Sequence, residues 1–582
     1  MSNTTVAVVG SGAAAEAVRA ALADADVTVT DTSPSDLDAS LDLAVVVGRA
    51  GSADFRRADE RARDVDLPWI AVELGGVGGY ALDGVDASVT AFGPESGCFT
   101  CLSTRVAADA DPQDVQESPS VSRSAIRLAG AHAGSRAVRA LAGTDVSGTV
   151  LELPHAERAF LPVPNCDDCG DTPDRELDLD DADVPDLQGA LERAERAVDD
   201  RVGVVQAVGE RESFPAPYYL AQLCDTSGFS DAEARRQAAG VAAGWDRAYM
   251  KAIGEGLERY SAGVYRTADF ERALADRDDG VSVERFVRPE GYETPAPDDT
   301  LQWVGGVDLH DGTDAALPAE FVVFPPHEER FGPAITTGLG LGGSTVDALL
   351  SGLYETVERD ATMLAWYSTF EPLGLQVTDA DPEFAELAKR ARSEGLTVTP
   401  LLVTQDVDVP VVAVTVHRAD GEWPCFAAGS SADLNAAAAA RGALAEALQN
   451  WMELRAMGEE RAAGEEGAIA RYADFPREVR GFVDPETTVP VDSVGAEEPP
   501  SGRAELDAVL DALDGADLDA YAARLSPRDV EQLGFEAVRV LVPEAQPLFV
   551  DVDEPFFGER ARQVPRELGF RPQLSRPFHP YP

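Results

Sequence analysis

Lysine is nearly absent: only Lys251 and Lys389 occur among 48 basic residues, against 104 acidic ones, and the 582-residue chain carries a formal net charge of −56. Such a surface repels nucleic acid and anionic lipid, which excludes the partners that basic patches serve. Cysteine is scarce too, with six in all, too few for the disulfide framework of a secreted scaffold. No apolar run approaches the ~20 residues that a bilayer-spanning helix needs. The opening MSNTTVAVVGSG has no basic segment ahead of its first apolar stretch, so a cytoplasmic location is expected. The six histidines form no metal spacing, and no Gly-x-Ser-x-Gly elbow points to a hydrolase.

What is present suffices for a globular protein. Hydrophobic residues make up 44% of the chain, and its length exceeds what one core can organise, so two or three domains are expected. The acidic residues are spread along the chain, as from Asp24 to Asp38, Asp178 to Asp186 and Glu505 to Asp519. That pattern reads as the solvated surface of a halophile protein rather than a docking patch.

The first segment alternates in the βαβ manner, with TVAVVG, VTVTD, LAVVVG and PWIAVEL as strands and SGAAAEAVRAALAD as a helix, which reads as a Rossmann-like parallel sheet. Gly10, Gly12 and Ala15 follow the first strand and Asp31 ends the second. This matches the fingerprint Gly-x-Gly-x-x-Ala with its acidic follower, and fits either a bound dinucleotide or close packing of helix on strand. Cys98 and Cys101 in GCFTCL, and Cys166 and Cys169 in NCDDCG, form two Cys-x-x-Cys knuckles. Two thiolates separated by two residues reach one ion from a single turn, so the pairs together make a closed, structural zinc site. A redox pair is the weaker reading, because each pair has a matching pair elsewhere. An acidic, proline-punctuated stretch from Thr172 to Asp186 suggests a linker. The expected domains are a Rossmann-like unit over 1–95, its zinc-binding continuation over 96–171, an acidic linker and helix over 172–200, and an α+β domain over 201–582. The fold class is α/β and α+β multidomain.

From Val202 the sequence alternates strands with long alanine-rich helices and contains an internal echo. AIGEGLERYSAGVY and GLYETVERDATMLAW share Glu-x-x-Glu-Arg, and ALAEALQNW reads as a degenerate third copy with Glu446 and Gln449. Glu255 with Glu258, and Glu355 with Glu358, each share one helical face. The surrounding residues are apolar, so unpaired charge there would be costly. Salt bridges to Arg259 and Arg359 would offset them; alternatively, four carboxylates converge on magnesium whose remaining ligands are phosphate oxygens.

MKAIGEGLERYSAG resembles the first nucleotide-binding motif of the YcaO family. TTGLGLGGSTVDALLSGLYETVERDA resembles its second, AARGALAEALQNW its third, and LVPEAQPLFVDVDEPFFGERARQVPRELGF with the closing RPFHPYP its C-terminal region. The resemblance spans roughly Ser213 to Pro582. It implies a YcaO-type α+β ATP-binding domain in which Glu255, Glu258, Glu355 and Glu358 hold Mg²⁺ against the ATP phosphates. It implies phosphate or carboxylate contacts for Lys251, Arg259, Arg359 and Arg441, and a third-helix contribution from Glu446 and Gln449. Thr337 stands where the family usually has Asn, and Trp451 where it often has Arg. The carboxylate of Pro582 is implied as a proton acceptor, with His579 in the same tail.

GPESGCFTCLSTR resembles the ThiF-like, ubiquitin-activating-like domain that accompanies YcaO domains in peptide cyclodehydratases, where it binds zinc and presents substrate. The combined resemblance implies ATP-dependent cyclodehydration of Cys, Ser or Thr in a ribosomally made peptide to thiazoline or oxazoline, as in bacteriocin biosynthesis. Alternatives are backbone thioamide formation with a TfuA-like partner, a non-catalytic peptide-binding scaffold, and, more weakly, a dinucleotide-dependent oxidoreductase built on Gly10 and Gly12. Expected partners are the substrate peptide, a separate leader-binding protein, a dehydrogenase or TfuA-like protein, and a second copy in a homodimer.

Overall fold

A computed structural model describes residues 4–25, 27–94, 96–109, 121–154, 156–170, 173–418, 422–462, 471–480, 483–496, 498–549, 552 and 554–581. Strands TVAVV, LAVVVGR and WIAVEL are near-continuously apolar and buried, as strands covered on both faces must be. They lie parallel in the order Thr28–Asp31, Thr5–Val9, Leu43–Arg49, Trp69–Leu74. The sheet then continues antiparallel through Ala87–Phe92, Thr149–Leu153 and Ala156–Ala159. The parallel sheet expected from sequence is thus the first part of a mixed seven-stranded one. Ala87–Phe92 is reached through a small two-stranded ribbon, Gly76–Val77 with Tyr80–Ala81, rather than a crossover helix, and so pairs in the opposite sense.

The fingerprint glycine Gly10 has φ +106°, and a Cβ there would stand 2.4 Å from the Val47 carbonyl oxygen. Asp31 pairs with Arg19, which also donates to the Gly10 carbonyl at 3.3 Å. Helix Ala13–Ala23 lies so close to helix Arg123–Leu141 that a Cβ on Gly130 would come within 2.2 Å of the Ala14 oxygen. Close packing accounts for Gly10, whereas Gly12, at φ +91°, has open space around it.

The acidic stretch is docked from Arg175 onward. Arg175 donates to the Arg524 carbonyl at 2.6 Å and Arg503 to that of Leu179 at 3.0 Å. Leu177, Leu179 and Ala182 pack against the neighbouring core. Asp181 accepts the Thr345 and Val346 amides through its carboxylate and carbonyl, at 3.1 and 3.0 Å.

The remainder builds three sheets, each covered by one long helix. Strand Gln237–Val241 leads into helix Trp245–Gly263, Leu339–Gly342 into Thr345–Trp366, and Phe426–Ala432 into Ala436–Met457. In each unit a strand glycine lets the helix backbone press onto the sheet. A Cβ on Gly240 would meet Ala248 O and Ala252 N at 2.3 and 2.2 Å; on Gly340, Ala348 O and Gly352 N at 2.2 and 3.0 Å; on Gly429, Ala443 O and Ala447 N at 2.6 and 2.5 Å. The same contact, built three times, sets the register of the helices that carry the site.

Candidate active site

All three helices deliver polar groups to one cleft of about 640 Å³. Lys251, Glu255, Glu258 and Arg259 come from the first, Glu355 and Arg359 from the second, and Glu446 and Gln449 from the third. Glu358 lies one hydrogen bond behind the lining, accepting from Ser430 Oγ at 2.7 Å. Backbone donors on the neighbouring strands orient two more carboxylates: Ser430 N donates to Glu446 at 2.6 Å and Gly338 N to Glu355 at 3.0 Å.

The arginines do not satisfy these carboxylates. Arg259 stands 3.6 and 3.5 Å from Glu255 and Glu258, and Arg359 stands 3.8, 3.6 and 3.9 Å from Glu355, Glu358 and Glu446. Those separations exceed hydrogen-bond lengths, whereas Arg524 and Glu536 elsewhere in the fold meet at 2.8 Å. Glu255, Glu258, Glu355 and Glu446 thus line the cleft with Lys251, Arg247, Arg259 and Arg359, while Glu358 lies just behind. Burial, reinforced by Glu355 and Glu255, pushes Glu258 up to about 7. Burial with Glu358 alongside does the same for Glu446, also to about 7. Burial raises Glu255 and Glu358 as well. A partly buried, carboxylate-rich cleft of this kind could hold hard divalent cations and the phosphates they carry.

The strand-glycine contacts revise the third copy of the echo. Counting from the packed residues Ala252, Gly352 and Ala447, the counterparts of Glu255 and Glu355 is Asn450, and Glu446 matches Lys251 and Ser351. The Glu446 and Gln449 pairing read from sequence is therefore displaced by one helical turn, because the turn before the third helix is longer. Asn450 lines the cleft and donates to the Ala428 carbonyl at 2.8 Å. Sequence reasoning missed it, along with Ser430.

Two expected residues, Arg441 and Thr337, stand elsewhere, and Trp451 is buried in the fold. Arg441 ion-pairs with Asp381 and Glu383 at the start of helix Pro382–Ser393 and does not line the cleft. Thr337 lines a separate cavity of about 60 Å³ beside Arg539. Trp451 is buried and donates to the Pro424 carbonyl at 3.1 Å. Arg539, also missed, is buried beneath the carboxylates; burial lowers its pKa to about 10 against the opposing pull of Glu355 and Glu258. His579 is fully buried with Nε2 facing the Phe549 carbonyl at 2.8 Å, and burial lowers its pKa to about 4. Pro582 lies outside the described residues.

The four knuckle cysteines converge, with all sulfurs within 4.8 Å of one another. Sulfur pairs stand 3.7 Å (Cys98–Cys101), 3.6 Å (Cys98–Cys166) and 3.4 Å (Cys101–Cys169) apart, near the ~3.8 Å edge of a tetrahedron with Zn–S bonds of ~2.3 Å. Arg528 donates to Cys169 Sγ at 3.1 Å and Cys101 Sγ at 3.3 Å, placing positive charge against the thiolates. Its neighbour Asp529 is fully buried, pairs with buried Arg105 and accepts from Tyr260 Oη at 2.6 Å. Tyr260 sits on the first cleft helix. One short helix, Arg528–Leu533, thus ties the cysteine cluster to the cleft.

A family model described as YcaO cyclodehydratase, ATP- and Mg²⁺-binding, matches residues 239–546, more than half of the chain. The chain belongs to the YcaO family. It is an ATP-dependent enzyme of the peptide-cyclodehydratase type. An uncharacterized protein of Methanothermobacter thermautotrophicus is 27% identical over 334 residues, covering 56% of this chain and 85% of that one. An uncharacterized protein in the tfuA 3′ region of Rhizobium leguminosarum bv. trifolii is 24% identical over 220 residues, 35% of this chain and 51% of that one. A solved heterocyclase in complex with substrate and cofactor shares the fold at a TM-score of 0.72 and 18% identity, over 99% of this YcaO protein and 84% of that chain. Among the described residues no helix is long and apolar enough to cross a membrane.

With Glu258 and Glu446 titrating at about 7, each is part-protonated in the ligand-free cleft at neutral pH. A cation bound there favours the ionised form, so binding of Mg²⁺ with ATP releases protons near pH 7; its affinity falls below about pH 6 and levels off above about pH 8. Calorimetric titrations at pH 7 in two buffers of different ionisation heat are expected to give different apparent heats. Equal heats would mean that no proton leaves.

Proposed function

We propose that this protein performs ATP-dependent cyclodehydration of Cys, Ser or Thr in a ribosomally made peptide, giving thiazoline or oxazoline. The observation that carries this reading is the gathering of Glu255, Glu258, Glu355 and Glu446 from three helices in one cleft, with Glu358 directly behind and the Arg259 and Arg359 guanidinium groups 3.5 to 3.9 Å from these carboxylates. In the proposed reaction the side chain of the target residue attacks the preceding amide carbonyl. The resulting oxyanion takes the γ-phosphoryl group of ATP, and loss of phosphate leaves the ring. Glu255, Glu258, Glu355, Glu358 and Glu446 hold and orient the metal, while Lys251, Arg259 and Arg359 balance charge along the phosphates. Bound Mg²⁺ neutralises phosphate charge during transfer. The carboxylate of Pro582 takes up a proton; its neighbour Tyr581 is buried within electrostatic reach of Glu358.

The N-terminal sheet with its cysteine cluster is proposed to be a ThiF-like domain that holds structural zinc and presents the peptide. The near-tetrahedral sulfur spacing and the Arg528 contacts support the metal. Metal analysis of the purified chain should return one zinc, and Cys101→Ser should lose it together with several degrees of thermal stability. A Cys101→Ser protein with full zinc would refute the site.

A second reading, backbone thioamide formation with a TfuA-like partner, is favoured by the relative from the tfuA region. Mass spectrometry of a peptide encoded nearby, after incubation with ATP, separates the two: loss of one water mass supports the ring, and oxygen-to-sulfur exchange supports the thioamide. Glu255→Gln or Glu355→Gln should lower turnover by at least ~10²-fold. A peptide left unmodified, with no phosphate released from ATP, would leave a non-catalytic scaffold.

A further inference from the structure

The acidic connector does more than join the two halves of the chain. Val184, Pro185 and Ala190 form part of the cleft wall, and Val184 is a large apolar side chain left 54% exposed there. Pro185 packs so closely on Gly343 that a Cβ on that glycine would fall 2.5 Å from Pro185 Cδ. The segment is held in place by the Asp181 contacts to the Thr345 and Val346 amides and by its half-buried leucines.

Depth along the second cleft helix says which part of a nucleotide this wall would meet. Gly343, Asp347, Ser351 and Glu355 line the cleft one turn apart, and the step from Asp347 to Glu355 is about 12 Å along the axis. Glu355 lies at one end of this row, and the connector, with Asp347, at the other. Asp180, Asp181, Asp183 and Asp186 make the connector hostile to phosphate, yet the pair it turns into the cleft is apolar. A flat, weakly polar heterocycle fits that face, and the triphosphate does not.

We propose that the connector supplies the nucleobase wall of the ATP cleft, with Val184 and Pro185 flanking the base, so that nucleotide affinity depends on a segment outside the matched YcaO region. This rests on the reading of the cleft as the ATP site.

The test compares the affinity of the full chain for Mg²⁺·ATP with that for Mg²⁺·tripolyphosphate, which lacks base and ribose. Val184→Asp should weaken ATP by about tenfold, the equivalent of one valine-sized apolar contact, while tripolyphosphate affinity changes by less than about twofold. Gly343→Ala, which displaces Pro185 without altering any of the glutamates proposed to hold metal, should show the same selective loss, and unfolding temperature reports whether either variant remains folded. An unchanged ATP affinity in folded Val184→Asp, or equal losses for both ligands, would overturn the proposal. If the unaltered protein bound neither ligand, the ATP-site reading itself would fail.

Discussion

Removing carboxylates from water without partners is among the more expensive things a fold can do, since an ionised group in a low-dielectric interior loses its hydration and repels its neighbours. Here five glutamates are held together with arginines only 3.5 to 3.9 Å away, and the raised pKa values of Glu258 and Glu446 record that cost. Such an arrangement is relieved by a divalent cation. The rest of the architecture can be understood as what is needed to hold these groups until one arrives.

Three strand–turn–helix units do the holding. A glycine in each strand brings a helix backbone onto the sheet, and the sheets contribute fixed donors through Ser430 and Gly338. The third unit departs from the other two in presenting Asn450 where they present glutamate, and Glu446 where they present Lys251 and Ser351. From outside, the Arg528–Asp529 pair joins the cysteine cluster to Tyr260 on the first cleft helix, so the N-terminal half bears on the site without lining its deep end.

Much of this was legible in the chain. Spacing alone paired Glu255 with Glu258 and Glu355 with Glu358, and predicted that two distant Cys-x-x-Cys knuckles would meet. Local spacing could not reveal that the third helix is displaced by one turn, because that depends on the length of the turn before it. Nor could it place Arg441, whose partners Asp381 and Glu383 are 60 and 58 residues away in sequence. The Thr172–Asp186 stretch has the composition of a free linker, and only its contacts with Arg503, Arg524 and the Thr345–Trp366 helix show it docked. Gly10 and Asp31 matched a binding fingerprint, and the structure adds the close approach of Val47 to Gly10 and the Asp31 ion pair with Arg19.

The central claim is that the glutamates of three helices share bound metal. Crystals grown with Mn²⁺ and a non-hydrolysable ATP analogue test it directly through anomalous scattering. The account predicts manganese peaks in the cleft within coordination distance of Glu255, Glu258, Glu355 or Glu358, bridging to phosphate oxygens. Nucleotide bound elsewhere, or a cleft holding nucleotide with these carboxylates paired only to Arg259 and Arg359, would contradict it.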